Sequence, residues 1–177
     1  MKKILFGLLT LSLSASIFAA ENTATMQVQA QLEVIPATAD LVIENLTDAG
    51  GWNVVTNAIV YDHGQIVQGS TVIPTPEINE NFRVRRADST PTTPAYLPAG
   101  DLNIAFDSVT TAGISKGTLN SGSSTIDHQF ETIPTDVTLD GTTENVQFHV
   151  KSKVLALKGT ENVGVHTRVQ TVTVAIN

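Results

Sequence analysis

The chain has 177 residues, with ten basic against seventeen acidic side chains and no cysteine. That charge is the wrong sign for a phosphate-backbone binder, which needs clustered cations to release counterions. The missing thiols exclude a disulfide framework, a thiolate nucleophile and a thiolate metal site.

Residues 1–20 read as an export signal and carry no fold information. Lys2-Lys3 precede an apolar run from Ile4 to Leu13, and the small residues Ser14, Ala15, Ser16, Ala19 and Ala20 follow, a run too short to span a bilayer. Cleavage after Ala19 or Ala20 leaves about 157 residues, enough for one domain with a core. Without Lys2 and Lys3 the basic count falls from ten to eight, so the mature net charge is −9. No later segment reaches the ~18 consecutive apolar residues of a membrane helix.

The mature chain opens on a strand pattern. From Ala24 to Val34 the even positions Ala24, Met26, Val28, Ala30, Leu32 and Val34 are apolar and the odd ones polar. At ~3.3 Å per residue this strand spans roughly 36 Å, about twice an ordinary one. A terminal strand with one apolar face exposes side chains and unpaired backbone groups unless something receives it.

Beyond it, turn signals such as Asp48-Ala49-Gly50-Gly51, Asp62-His63-Gly64, Pro74-Thr75-Pro76 and Asp140-Gly141 punctuate runs rich in Val, Ile, Thr and Phe. These place strands at 40–46, 53–61, 65–73, 78–86, 101–109, 125–132, 135–139, 144–157 and 165–176. No window reads as an amphipathic helix, so the fold class is an all-β sandwich. In 144–157, Val146, Phe148, Val150, Val154 and Ala156 share the inward face. In 165–176 the apolar side switches between Val169 and Val172, which calls for a bulge. Residues 87–100 read as an exposed loop within one domain.

Catalytic constellations are missing. His63, His128, His149 and His166 show no ligand spacing and are expected on solvent-facing strand or turn positions; no Gly-x-Ser-x-Gly elbow, phosphate loop or paired-carboxylate set appears, so neither an enzyme nor a cofactor is implied. Arg83, Arg85 and Arg86 form the one charge cluster. It reads as a patch for an acidic glycan or a neighbouring subunit, or, as we favour, as cross-strand ion pairing with the nearby Glu77 and Glu80. Trp52 is expected to plug the core sooner than to stack on a sugar.

The signal, the alternating extension ending at Pro36, the Thr/Val-rich body and the C-terminal run from Val169 to Asn177 resemble Gram-negative fimbrial subunits of the chaperone–usher pathway, in particular the cysteine-free colonisation-factor pilins and fibrillar capsular antigens. One departure is Ile176, which stands where many such subunits carry an aromatic. The resemblance implies an incomplete immunoglobulin-like antiparallel β-sandwich, completed by donor-strand exchange. It divides the chain into a signal peptide (1–20), a donor extension (21–36) and the pilin sandwich (37–177). Ala24, Met26, Val28, Ala30, Leu32 and Val34 would be the donor face, and Val172, Val174 and Ile176 the edge of the acceptor groove. The implied partners are further copies of the subunit in a homopolymer, a periplasmic chaperone, an outer-membrane usher and a host receptor. The implied location is a surface fimbria reached through the periplasm.

Two other readings stand beside this one. Residues 24–34 would show the same alternation as the first strand of a complete monomer pairing in its own chain; the length of the segment, its terminal place and Pro36 weigh toward exchange. The rival function is a secreted monomeric β-sandwich binding module that recognises glycan or protein through the 87–100 loop, Trp52 or the arginines.

Overall fold

A computed structural model describes residues 25–36, 40–108, 111 and 113–177; the expected signal peptide (1–20) and Ala24 lie outside them. Eleven strands follow in order: β1 (Thr25–Pro36), β2 (Leu41–Leu46), β3 (Trp52–Val54), β4 (Ile59–Val67), β5 (Glu77–Arg86), β6 (Gly100–Phe106), β7 (Ile114–Ser121), β8 (Ser124–Ile133), β9 (Asp136–Leu139), β10 (Asn145–Ala156) and β11 (Gly164–Ile176). The described residues contain no helix, so the fold is all-β.

The strands form one curled sheet in the order β3-β2-β5-β10-β8-β7-β11-β1-β4, with β6 also on β11 and β9 on β6. Among the described pairings, β1 with β11 is parallel and the others are antiparallel. The curl brings the edge strand β4 over the middle of the sheet. There the Tyr61 hydroxyl donates to the Val150 carbonyl at 3.3 Å, and its ring meets Phe130 edge-on with centroids 5.5 Å apart. Between the facing surfaces lie Met26, Leu32, Phe82, Leu102, Leu119 and Phe148. Leu97, fully buried, pins the otherwise mostly exposed 87–100 loop.

Several expectations need correction. Asp62-His63-Gly64 has the composition of a turn but lies inside β4, because β1 pairs Val28 with Gly64 and Gln29 with Asp62, leaving His63 as the extra residue of a bulge. The bulge moves the inward phase from Tyr61 and His63 to Ile66. β7 was not expected, since its Ser, Lys, Gly and Thr residues carry little strand signal. On β11 the apolar residues do change side, with Val165 and Val169 more than half exposed and Val172 and Val174 buried, but no bulge is involved: the even positions, His166 and Gln170 included, stay inward. The inward face of β11 is polar over its first half, and its pairing with β1 runs without a register shift. On β10 a shift after Val154 turns Ala156 outward and buries Leu157.

Candidate functional site: the seat of the leading strand

Residues 25–36 occupy an interior position of the sheet in their own chain. One edge of β1 pairs with β11 from Met26↔Gly164 to Pro36↔Val174, and the other with β4 from Thr25↔Val67 to Leu32↔Ile59. The even residues Met26, Val28, Ala30, Leu32 and Val34 are buried, and Val28, Ala30 and Leu32 have no exposed surface. The alternation thus marks a buried face, here covered within the same chain. Among the described residues the space between β11 and β4 is filled by the chain's own leading strand.

The expected acceptor edge is only partly where it was read. Val172 stands opposite Val34, and Val174 opposite Pro36. Ile176 lies past the end of β1 and pairs with Leu102 of β6. The middle of β1 meets polar neighbours instead: Val28, Ala30 and Leu32 stand in register with His166, Arg168 and Gln170.

From β4 and β11, the two strands that hold β1, a buried polar chain crosses to β8, β10 and β7. His63 Nδ1 lies 2.6 Å from the Thr75 carbonyl, which can only accept, so that nitrogen carries the proton. Its Nε2 therefore accepts from the Ser152 hydroxyl at 2.9 Å. Ser152 in turn accepts from His128 Nε2 at 2.8 Å. Arg168 Nη1, which can only donate, reaches His128 Nδ1 at 3.3 Å. Its Nη2 donates to Ser115 Oγ at 2.5 Å and to Gln170 Oε1 at 2.7 Å. Gln170 Nε2 continues to the Asp107 carboxylate. Both Nη atoms of Arg168, the His128 Nε2–H, the Ser152 hydroxyl and the His63 Nδ1–H each have an acceptor, which is the condition for placing such groups in a core.

Burial is the largest influence on both imidazoles and disfavours the charged form. It lowers His63, and it lowers His128 to about 3, with the Arg168 and His63 charges acting in the same direction. The expectation that all four histidines face solvent is overturned for His63, His128 and His166, each without exposed surface. A signal was present in the chain: His128 falls in phase with Ile126 and Phe130, and Ser152 with Val150 and Val154. Gly117 of β7 belongs to the same assembly, since a side chain there would stand 2.9 Å from the Arg168 guanidinium carbon.

The three arginines separate. Arg83 and Arg85 both bind Glu44 of β2, through Arg83 Nε at 2.5 Å and through Arg85 Nε and Nη2 at 3.0 and 2.9 Å. Arg86 pairs with Asp88 instead. Ion pairing was the favoured reading, but the partner is neither Glu77, which faces Lys151 and Lys153, nor Glu80, which accepts from Asn45. Burial pushes the Glu44 carboxyl upward; the hydrogen bonds and charges of Arg85 and Arg83 together outweigh it and hold the group below the usual carboxylate value. Trp52 is half-buried at the rim, with the Arg83 guanidinium 4.6 Å above its ring. It does not plug the core.

No protein-family model matches the chain, and no curated protein resembles it closely enough to count as a relative.

Proposed function

We propose that this chain is an exported structural subunit of a Gram-negative surface fimbria that polymerises by donating its leading strand to the next copy. In this reading the curled sheet is an immunoglobulin-like sandwich. A periplasmic chaperone and an outer-membrane usher handle the subunit, and the polymer supports adhesion to a host receptor. The observation that carries the proposal is the position of β1, a terminal strand seated between β11 and β4 with its whole inward face apolar.

Lifting β1 out would leave two unpaired strand edges flanking an open core, and the segment that fits this gap best is the same segment of another copy. Met26, Val28, Leu32 and Val34 contribute roughly 6–12 kcal/mol by burial before ordering costs, at ~1.5–3 kcal/mol each. The contacts are the same in cis or in trans, so the exchange trades like for like and its direction is set by concentration and by the proteins that hold the open form.

The chain has no native cysteine, so one engineered pair tests this reading. Gln31 and Val169 face each other across β1 and β11. The Gln31→Cys, Val169→Cys chain, oxidised after assembly on the producing cell, should give a ladder of covalent multimers without reductant. A single cross-linked monomer band would leave the strand in cis and defeat the proposal.

The cis placement of β1 favours a second reading, a secreted monomeric binding module. That reading predicts the monomer band and a single monomeric peak on size-exclusion chromatography.

A further inference from the structure

The cleft beside Trp52 stands apart from the strand seat and from the assembly reading. It has a volume of about 450 Å³ and is walled by Glu44, Trp52, Arg83, Arg85, Ser89, Thr90, Pro91, Glu144 and Asn145. We propose that it binds a saccharide bearing a single carboxylate, a sialic or uronic acid unit, with Arg83 gripping the carboxylate and Trp52 lying along the sugar.

The two arginines of the cleft are not equivalent. Arg85 is engaged at all three of its nitrogens: Nε and Nη2 hold Glu44, while Nη1 donates to the carbonyls of Arg86 and Ser89. Arg83 is fixed but not used up. Its Nε is tied to the Glu44 carboxylate and its Cζ lies 4.6 Å from the centre of the Trp52 ring, and Nη1 and Nη2 make no hydrogen bond among the described residues. Two parallel N–H donors on a rigid plane match a carboxylate in bidentate geometry. Glu44 and Trp52 have already restricted the guanidinium, so less freedom is lost on binding.

The remaining walls fit a sugar better than a peptide or a polyanion. Glu144 and Asn145 make no side-chain hydrogen bond among the described residues, and they offer acceptor and donor groups to ring hydroxyls. Trp52 and Pro91 supply apolar surface of the kind a pyranose face covers. Glu144 on the rim and the −9 charge of the mature chain oppose a dense polyanion, which limits the ligand to one carboxylate.

Trp52 is the only tryptophan in the chain, so intrinsic fluorescence reports on this cleft directly. The mature protein is titrated with 3′-sialyllactose, a glucuronate disaccharide, lactose, the methyl ester of 3′-sialyllactose and an acidic tetrapeptide. At least one carboxylated sugar should give a saturable change below about 10 mM, with lactose and the ester at least about tenfold weaker. Arg83→Lys, which keeps the charge and loses the fork, should weaken that sugar about tenfold. Arg83→Gln should abolish saturation, with Arg85 still neutralising Glu44.

Equal binding of lactose or of the ester, tighter binding of the tetrapeptide, saturation retained in Arg83→Gln, or no saturable response to either acidic sugar would each overturn the proposal. The ester comparison uses the unaltered chain and stands even if a variant misfolds.

Discussion

His63 and His128 direct their Nε2 atoms at one hydroxyl, that of Ser152, from 2.9 and 2.8 Å. A hydroxyl could accept from both rings, but the Thr75 carbonyl and Arg168 set the two Nδ1 atoms and burial keeps both rings neutral. Ser152 therefore donates to His63 and accepts from His128, and the tautomers are opposite. His63 carries its proton on Nδ1 against the Thr75 carbonyl, and His128 carries its proton on Nε2 because Arg168 occupies Nδ1. The chain is polarised from β11 to β4, the two strands that hold β1.

Acid should break this chain. His128 titrates near 3 in the fold against an ordinary value of 6.5. Between those values the unfolded chain binds a proton that the folded chain refuses, so stability falls as pH falls through that window. The loss is at most ~1.4 kcal/mol per pH unit from this group, and His63, also lowered, adds in the same direction. Urea midpoints at pH 7, 5.5 and 4.5 should decline steadily. His128→Gln keeps a donor toward Ser152 and removes the titration; it should be less stable at pH 7 and show a flatter decline. An unchanged slope would place the acid sensitivity elsewhere.

A charge on the inward face of β1 should be far worse than one on the outward face. Val28 and Leu32 have no exposed surface, and a buried carboxylate without a partner costs at least ~3 kcal/mol. Val28→Asp and Leu32→Asp should therefore unfold the chain or lower its melting temperature by at least about 6–12 °C, on the usual scaling for a domain of this size. Gln29→Asp and Gln31→Asp, at outward positions, should shift it little. Similar effects from all four would contradict the burial of the even face.

Gly117 makes a narrower prediction. A methyl group there would press on the Arg168 guanidinium, whose Nε and Cζ would lie 3.0 and 2.9 Å away. Arg168 cannot swing aside without dropping its bonds to Ser115, Gln170 and His128. Gly117→Ala should cost about 1–3 kcal/mol, although alanine suits a strand at least as well as glycine. In the Arg168→Met background most of that penalty should vanish, as a double-mutant cycle would show. Independent, additive effects would mean that the two sites are not coupled.

How much of this was legible follows from what alternation can and cannot encode. Met26, Val28, Ala30, Leu32 and Val34 announce a buried face, and they are buried. Whether the strand pairs in its own chain was not readable, since cis and trans pairing bury the same residues. His128 and Ser152 sit in phase with their apolar neighbours, so period-two counting could have found them if polar residues had been allowed on the inward face. Their partner Arg168 could not be found that way, because the place of β11 next to β7 and one strand from β8 is a property of topology. Glu44 was missed for a related reason: Glu77 and Glu80 are nearer in sequence, but register sets Glu44 opposite Arg83. The bulge at His63 left one trace, the change of apolar phase between Tyr61 and Ile66, which a turn-like tripeptide concealed.

If β1 is a transferable strand, it should also work as a separate molecule. A chain lacking residues 20–35 would expose the edges of β4 and β11 and the core residues beneath β1, so it should aggregate unless a chaperone holds it. Adding a synthetic peptide spanning residues 21–36 during refolding should restore a soluble 1:1 complex with a cooperative thermal transition. The same peptide carrying Val28→Asp should fail, because its charge would enter the same dry position. Circular dichroism melts with and without each peptide decide the matter. A truncated chain that folds alone and ignores the peptide would show that β1 merely covers a core that is complete without it. Donation to a neighbour would then contribute no stability to a polymer.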